Sequence, residues 1–228
     1  MKETIAARLE YLSPEIGDGR VLLIMLPGAG MHAADFFTHD MVSPVQSQTC
    51  PIDIVALEFE LGIYLEDKTM ASVLHEHAIL PALNQGYQRI WLLGISLGGM
   101  GALLYSSIYW RYVTGIFLLA PFIGTRGTVA ALSNAGGFEF PLDRIGMTNT
   151  EQSILEWVAQ HLKKKQGTNP QLYLGYGRQD RFCSGAKLLA RYLPSGNICE
   201  QDGGHDWPTW KNLWYEFLSR SPFLQNGI

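Results

Sequence analysis

The chain has 228 residues, enough for one sizeable domain, and its 47% hydrophobic and 17% charged residues suit a protein with a full core. A formal charge of -4 leaves no basic excess, which argues against nucleic acid and anionic membrane as partners. Three cysteines, Cys50, Cys183 and Cys199, are an odd number at wide spacing and fit neither a disulfide framework nor a zinc site.

From the start, Thr4 to Leu12 alternates Ile5, Ala7, Leu9 and Tyr11 with more polar residues, the period of an edge strand with one wet face, and Ser13-Pro14 ends it. Val21 to Leu26 reads as a fully buried strand, and the short link through Gly17-Asp18-Gly19 predicts that these two strands pair antiparallel. Pro27-Gly28-Ala29-Gly30-Met31-His32 stops the second strand and precedes a helix-like piece with Ala33, Ala34, Phe36 and Phe37. Its two glycines would let backbone N–H groups turn inward towards a developing negative charge. His32 reads as a pocket-lining candidate and His39 as a surface residue. Ile52 to Leu57, rich in β-branched residues, is the next strand. Apolar positions from Thr69 to Leu83 recur at helical spacing, with Asp67 or Thr69 as the cap. His75, Glu76 and His77 in that helix point to different faces and lack the spacing of a metal motif, so they are expected on a solvated face.

The stretch from Arg89 to Leu104 carries the strongest signal. Ile90 to Leu93 is a buried strand, the residues after Ser96 open a helix, and Gly94 and Gly98 bracket the turn between them. A serine so placed matches the G-x-S-x-G nucleophile elbow. That helix runs to about Trp110, and Val113 to Ala120 is another buried strand. Residues 122–150 are broken by Gly124, Gly127, Gly136, Gly137, Pro141 and Gly146, which fits either a small cap or a long crossover with one short helix. Glu151 to Leu162 is an amphipathic helix with a cationic end at Lys163-Lys164-Lys165. Then come a strand from Gln171 to Tyr176, a loop holding Asp180, a helix from Ser184 to Tyr192, a short strand from Asn197 to Glu200, a loop holding His205, and a final helix from Pro208 to Ser219. The longest apolar runs are too short to span a bilayer and the first residues lack a signal-peptide core, so a cytoplasmic protein is expected.

On Gly94-Ile95-Ser96-Leu97-Gly98 in its strand and helix context, the chain resembles the α/β-hydrolase family over nearly its whole length. The resemblance implies one domain over residues 1–228, with a mostly parallel sheet of about seven or eight strands, helices on both faces and a small cap at 122–150. It implies Ser96 as nucleophile, Asp180 as acid and His205 as base, in that chain order, with the Leu97 N–H as one oxyanion donor. Similar Pro-x-Ala-Gly segments occur in type II thioesterases, which puts Ala29 first and Gly30 second as the other donor. Asp206, adjacent to His205, is poorly placed to meet its Nδ1 proton and reads as structural. The expected activity is hydrolysis of esters or thioesters of small apolar acyl groups, by a monomer or homodimer needing no metal or organic cofactor. An acyltransferase, or a small-molecule receptor with a little-used triad, is the alternative. Met31, Phe122 and Trp207 are the expected substrate-lining residues, with Phe36, Phe37 and Phe138 nearby and Arg126, Arg178 and Arg181 as the fixed charges.

Overall fold

The computed structural model of the chain describes residues 5–13, 20–48, 50–64, 66, 69–162 and 170–224. At its centre lie strands β1 (Ile5–Tyr11), β2 (Val21–Leu26), β3 (Ile52–Phe59), β4 (Arg89–Ile95), β5 (Gly115–Leu119), β6 (Gln171–Gly177) and β7 (Ile198–Gln201). They form one sheet in the order β1-β3-β2-β4-β5-β6-β7, parallel throughout except where β1 meets β3. The main helices are α1 (Asp35–Thr38), α2 (Thr69–Leu74), α3 (Leu80–Asn84), α4 (Leu97–Tyr109), α5 (Arg126–Asn134), α6 (Asn149–Leu162), α7 (Cys183–Ala190) and α8 (Trp207–Ser219).

The two-residue period of the strands sorts the core into two layers. Leu22, Ile24 and Leu26 of β2, with Leu92 and Leu118, face the layer that holds Leu103 of α4, Leu155 of α6 and Leu189 of α7. Val21, Leu23 and Met25, with Trp91 and Phe117, face Phe36 of α1 and Trp210, Leu213 and Trp214 of α8. Burial on both faces is why the central strands read as unbroken apolar runs. Parallel strands also bring all their C-terminal ends to one edge of the sheet, where the loops after β2, β4, β5, β6 and β7 converge.

Two expectations need correction. First, β1 pairs with β3, Leu9 opposite Ala56 and Tyr11 opposite Ile54, and not with β2. Both edges of β2 are taken by β3 and β4, so the amphipathic first strand covers the open edge of β3 and gives its backbone groups partners. Second, His75 is half-buried, stacked on Tyr109 with ring centroids 4.1 Å apart and hydrogen-bonded to the Tyr105 hydroxyl at 3.0 Å. Burial lowers its pKa. The expected helix around His75 is present from Thr69 to Asn84, with a π-helical turn at His75–Ile79.

Within 122–150, α5 is followed by a short 3-10 turn, Leu142–Arg144. Leu132, Phe138 and Leu142 are buried in the same layer as α6 and α7. Glu151, at the start of α6, ties the segment down: its carboxylate accepts from the Thr125 N–H at 2.6 Å, the Thr128 hydroxyl at 3.0 Å and the Thr148 N–H at 2.9 Å. Burial raises its pKa, but the hydrogen bonds from Thr148, Thr125 and Thr128 outweigh that and hold it below its ordinary value. All three cysteines are free, and burial raises the pKa of Cys50 and Cys199, away from thiolate reactivity. Among the described residues no helix is long and apolar enough to cross a membrane. Gly17 to Gly19, Asp67 and Lys163 to Lys165 lie outside the described residues.

Candidate active site

The corner between β4 and α4 is as tight as the glycine spacing implies. A Cβ on Gly98 would collide with the Leu26 carbonyl at the end of β2, and one on Gly94 would collide with the backbone of Gly98. Close approach of helix to strand therefore forbids a side chain at either position. Ser96 between them has φ +53° and ψ -112°, a conformation costing about 1–3 kcal/mol that only a well-tied backbone keeps. The ties are present. Its N–H donates to Leu119 O at 3.0 Å, and its carbonyl accepts from Phe122 N at 3.0 Å and Met100 N at 3.2 Å.

The Ser96 hydroxyl lies 3.0 Å from Nε2 of His205, whose Nδ1 lies 2.7 Å from Oδ2 of Asp180. The Asp180 side chain has no exposed surface and that of His205 only 10%. A buried carboxylate facing Nδ1 fixes the proton on that nitrogen and leaves Nε2 as the acceptor for the serine hydroxyl. The other carboxylate oxygen, Oδ1, accepts the Phe182 N–H at 2.7 Å, so the acid is held at both ends. Asp206 has a different task. As N-cap of α8 it accepts from the Thr209 N–H at 3.0 Å and the Thr209 hydroxyl at 2.7 Å. Those bonds hold its pKa below the usual range.

Chain segments 25 residues apart meet here because the loops after β6 and β7 are stitched together. Gln179 N donates to Gly203 O at 3.0 Å, Gly203 N donates to Gln179 Oε1 at 2.6 Å, and Arg178 N donates to Gln201 O at 2.8 Å. Aromatic edges restrict the imidazole further: Phe182 and Trp210 meet the His205 ring nearly at right angles, at 4.9 and 5.0 Å.

On the other side of Ser96 lies the loop after β2. A Cβ on Gly28 would stand 3.2 Å from that of Ser96, and Met31 N closes a turn onto Gly28 O at 3.1 Å. Ala29, Gly30, Met31 and Leu97 together line a cavity of about 240 Å³. Leu97 opens α4, and the first N–H groups of a helix have no partner within it. Glu58, at the end of β3, anchors this loop by accepting from the Ala33 N–H at 3.1 Å and pairing with Nδ1 of His32, also at 3.1 Å. His32 thus lines the cavity, as expected.

A second cavity, of about 310 Å³, lies on the His205 side, walled by Pro121, Ile123, Val129, Ala130, Phe182 and Gly185 with Arg126 and Arg181. Phe122 is not one of its walls; its ring packs edge-on against Phe182 at 5.5 Å and its N–H donates to the Ser96 carbonyl. Trp207 lines neither of these two cavities, because its ring is taken up by His39, stacked at 4.3 Å, and by Phe36 and Trp210. His39 is accordingly a packing partner and not a free surface residue. Phe36 and Phe138 are buried in the two core layers, which removes both from the lining. Arg178 is turned to Asp202, 2.9 Å away.

No protein-family model and no curated protein sequence matches the chain. Solved structures do. Fluorophosphonate-binding serine hydrolase F of Staphylococcus aureus superposes with a TM-score of 0.64 over 96% of this chain and 98% of its own, at 13% identity. An S-formylglutathione hydrolase from Agrobacterium tumefaciens gives 0.63 over 96% and 91%, at 14% identity. A monoacylglycerol lipase from Paleococcus ferrophilus gives 0.60 over 94% and 98%, also at 14% identity. The chain has the α/β-hydrolase fold. Within this fold Ser96, His205 and Asp180 come together. Sequence reasoning missed Gln179, Phe182, Trp210 and Glu58, which hold the site in place, and Glu151, which ties down the segment beside it. Gln179 and Phe182, within two residues of Asp180, carried a local signal.

Proposed function

We propose that the protein is a serine hydrolase that cleaves carboxylic esters or thioesters through an acyl-enzyme on Ser96. The observation that carries this reading is the unbroken hydrogen-bonded line from buried Asp180 through His205 to the Ser96 hydroxyl, at the edge of the sheet where parallel folds gather their chemistry. Fold neighbours whose names include a ferulic acid esterase, an S-formylglutathione hydrolase and a monoacylglycerol lipase support the same class of reaction.

On this reading each step falls to a named atom. His205 Nε2 takes the proton of Ser96 as Oγ adds to the substrate carbonyl, and Asp180 stabilises the imidazolium so formed. The N–H groups of Leu97 and Ala29 receive the developing oxyanion, each worth about 100- to 1,000-fold in rate. His205 then returns the proton to the leaving oxygen or sulfur as that bond breaks, leaving the acyl group on Ser96. A water molecule gives its proton to His205 and adds to the acyl carbonyl, and collapse releases the carboxylic acid and restores the serine. Residues 122–150 act as a small cap, with α5 forming one wall of the larger cavity. Its walls Ile123, Val129 and Phe182 suit an apolar chain, at about 0.8 kcal/mol per buried methylene.

A fluorophosphonate tests the assignment. The expected result, by mass spectrometry, is a single adduct on Ser96 that requires His205; an adduct on Ser184 or Ser195 instead would overturn it.

A further inference from the structure

The two cavities, each walled by a loop that touches Ser96, differ in charge. Glu58 and Glu60 line the one next to Ala29 and Leu97, whereas the larger one carries Arg126 and Arg181 on mostly apolar walls. Both arginines are exposed, and among the described residues neither has a carboxylate within ion-pair distance. Arg181 lies over the face of Phe182, its Cζ 5.0 Å from the ring centre, and Phe182 in turn meets His205 edge-on. Arg181 is thus separated from the His205 imidazole by the Phe182 ring. The hydroxyl-bearing residues Ser133 and Ser184 share the same lining.

We infer that the substrate carries a carboxylate, which Arg126 and Arg181 hold in this cavity while the scissile carbonyl lies at Ser96. Guanidinium groups present two N–H donors in a plane that matches a carboxylate, and such charge-assisted pairs are stronger than neutral ones. The apolar walls accommodate the chain between the two ends, and the glutamates of the other cavity disfavour an anion there. This inference rests on the reading of Ser96 as nucleophile and names the substrate class of that site.

Two pairs of esters test it on either side of the scissile bond. One pair is 4-nitrophenyl hexanoate and the mono-4-nitrophenyl ester of adipic acid; the other is phenyl butyrate and 4-(butyryloxy)benzoate. With kcat/KM divided by each ester's hydroxide rate, the anionic member of at least one pair is expected to be favoured by about tenfold, the worth of one charge-assisted hydrogen bond. That ratio should fall towards one in the Arg126→Ala/Arg181→Ala double variant and be partly kept with lysine at both positions. Ratios at or below one in both pairs, or a ratio unchanged in the double variant, would overturn the inference while leaving the nucleophile untouched. Should the wild type cleave none of the four esters, the catalytic reading fails instead. Binding of the same esters to Ser96→Ala then decides, a preference for the anionic members supporting the inference and its absence overturning it.

Discussion

Each end of the sheet buries one aspartate, and the two side chains differ mainly in where their hydrogen bonds lead. Asp53, at the N-terminal end of β3, pairs with Arg20 at 2.5 Å, accepts the Ser13 N–H at 2.7 Å and receives the Tyr87 hydroxyl. Every partner is a donor, and burial with the bond to Asp53 pushes Tyr87 up to about 12, so Tyr87 keeps its proton near neutral pH. Asp180, at the opposite end, gives one oxygen to the Phe182 N–H and the other to His205. Its line of bonds runs on through the His205 imidazole, whose Nε2 can accept a proton while Nδ1 stays held, to a serine hydroxyl. The two carboxylates are equally buried, both with side chains at 0% exposure. Burial with partners therefore does not mark an active site; a titratable partner and a nucleophile beyond it do.

Exchanging each carboxylate for an amide tests that difference. Asp180→Asn is expected to lower kcat by about 10,000-fold, because an amide no longer holds the His205 proton on Nδ1, with little change in Tm. Asp53→Asn should do the reverse. Kinetics per folded molecule stay at wild-type level while stability drops by about 3 kcal/mol in urea unfolding, the low end for a broken buried pair because Arg20 keeps part of its side chain in water. Equal kinetic damage from the two changes would erase the distinction.

Two further carboxylates sharpen it. Glu151→Gln should cost about 2 kcal/mol, since an amide cannot accept all of the hydrogen bonds that converge on Glu151. The folded pKa of Glu151 lies below its ordinary 4.5, so the charged form is the one that folding favours. The gap between wild type and Glu151→Gln is thus full at neutral pH, shrinks as pH falls below that value and is lost below the folded pKa. A gap that widened in acid would contradict the assignment. Asp206→Asn should have the smallest effect, under about 1 kcal/mol, because asparagine caps a helix nearly as well as aspartate. If Asp206→Asn reduced kcat more than Asp180→Asn, the acid would have to be moved.

What the sequence disclosed follows from how local the cause is. Gly94, Ser96 and Gly98 were legible because strand, turn and helix constrain one another within ten residues, and β2, β4 and β5 because burial on both faces leaves plain apolar runs. Asp180 and His205 were placed by chain order together with strand ends, a regularity of the fold that periodicity alone does not supply. Long-range choices were hidden. Whether β1 lies against β2 or β3 depends on which edge is left open. Phe138 and Trp207 looked like lining but found aromatic partners in Tyr192 and His39. His75 looked solvated until α4 brought Tyr105 and Tyr109 against it. Glu58 and Glu151 tie loops more than 20 residues away in sequence, and nothing in the residues around them points to those partners.

The most direct test is the rate at which Ser96→Ala hydrolyses 4-nitrophenyl butyrate, measured against wild type with folding checked by circular dichroism. Loss of the Oγ that sits 3.0 Å from His205 removes the nucleophile while the buried elbow keeps its backbone ties. The expected result is a folded protein with kcat lower by about a millionfold. A folded variant that keeps a tenth of the wild-type rate would contradict the assignment of Ser96.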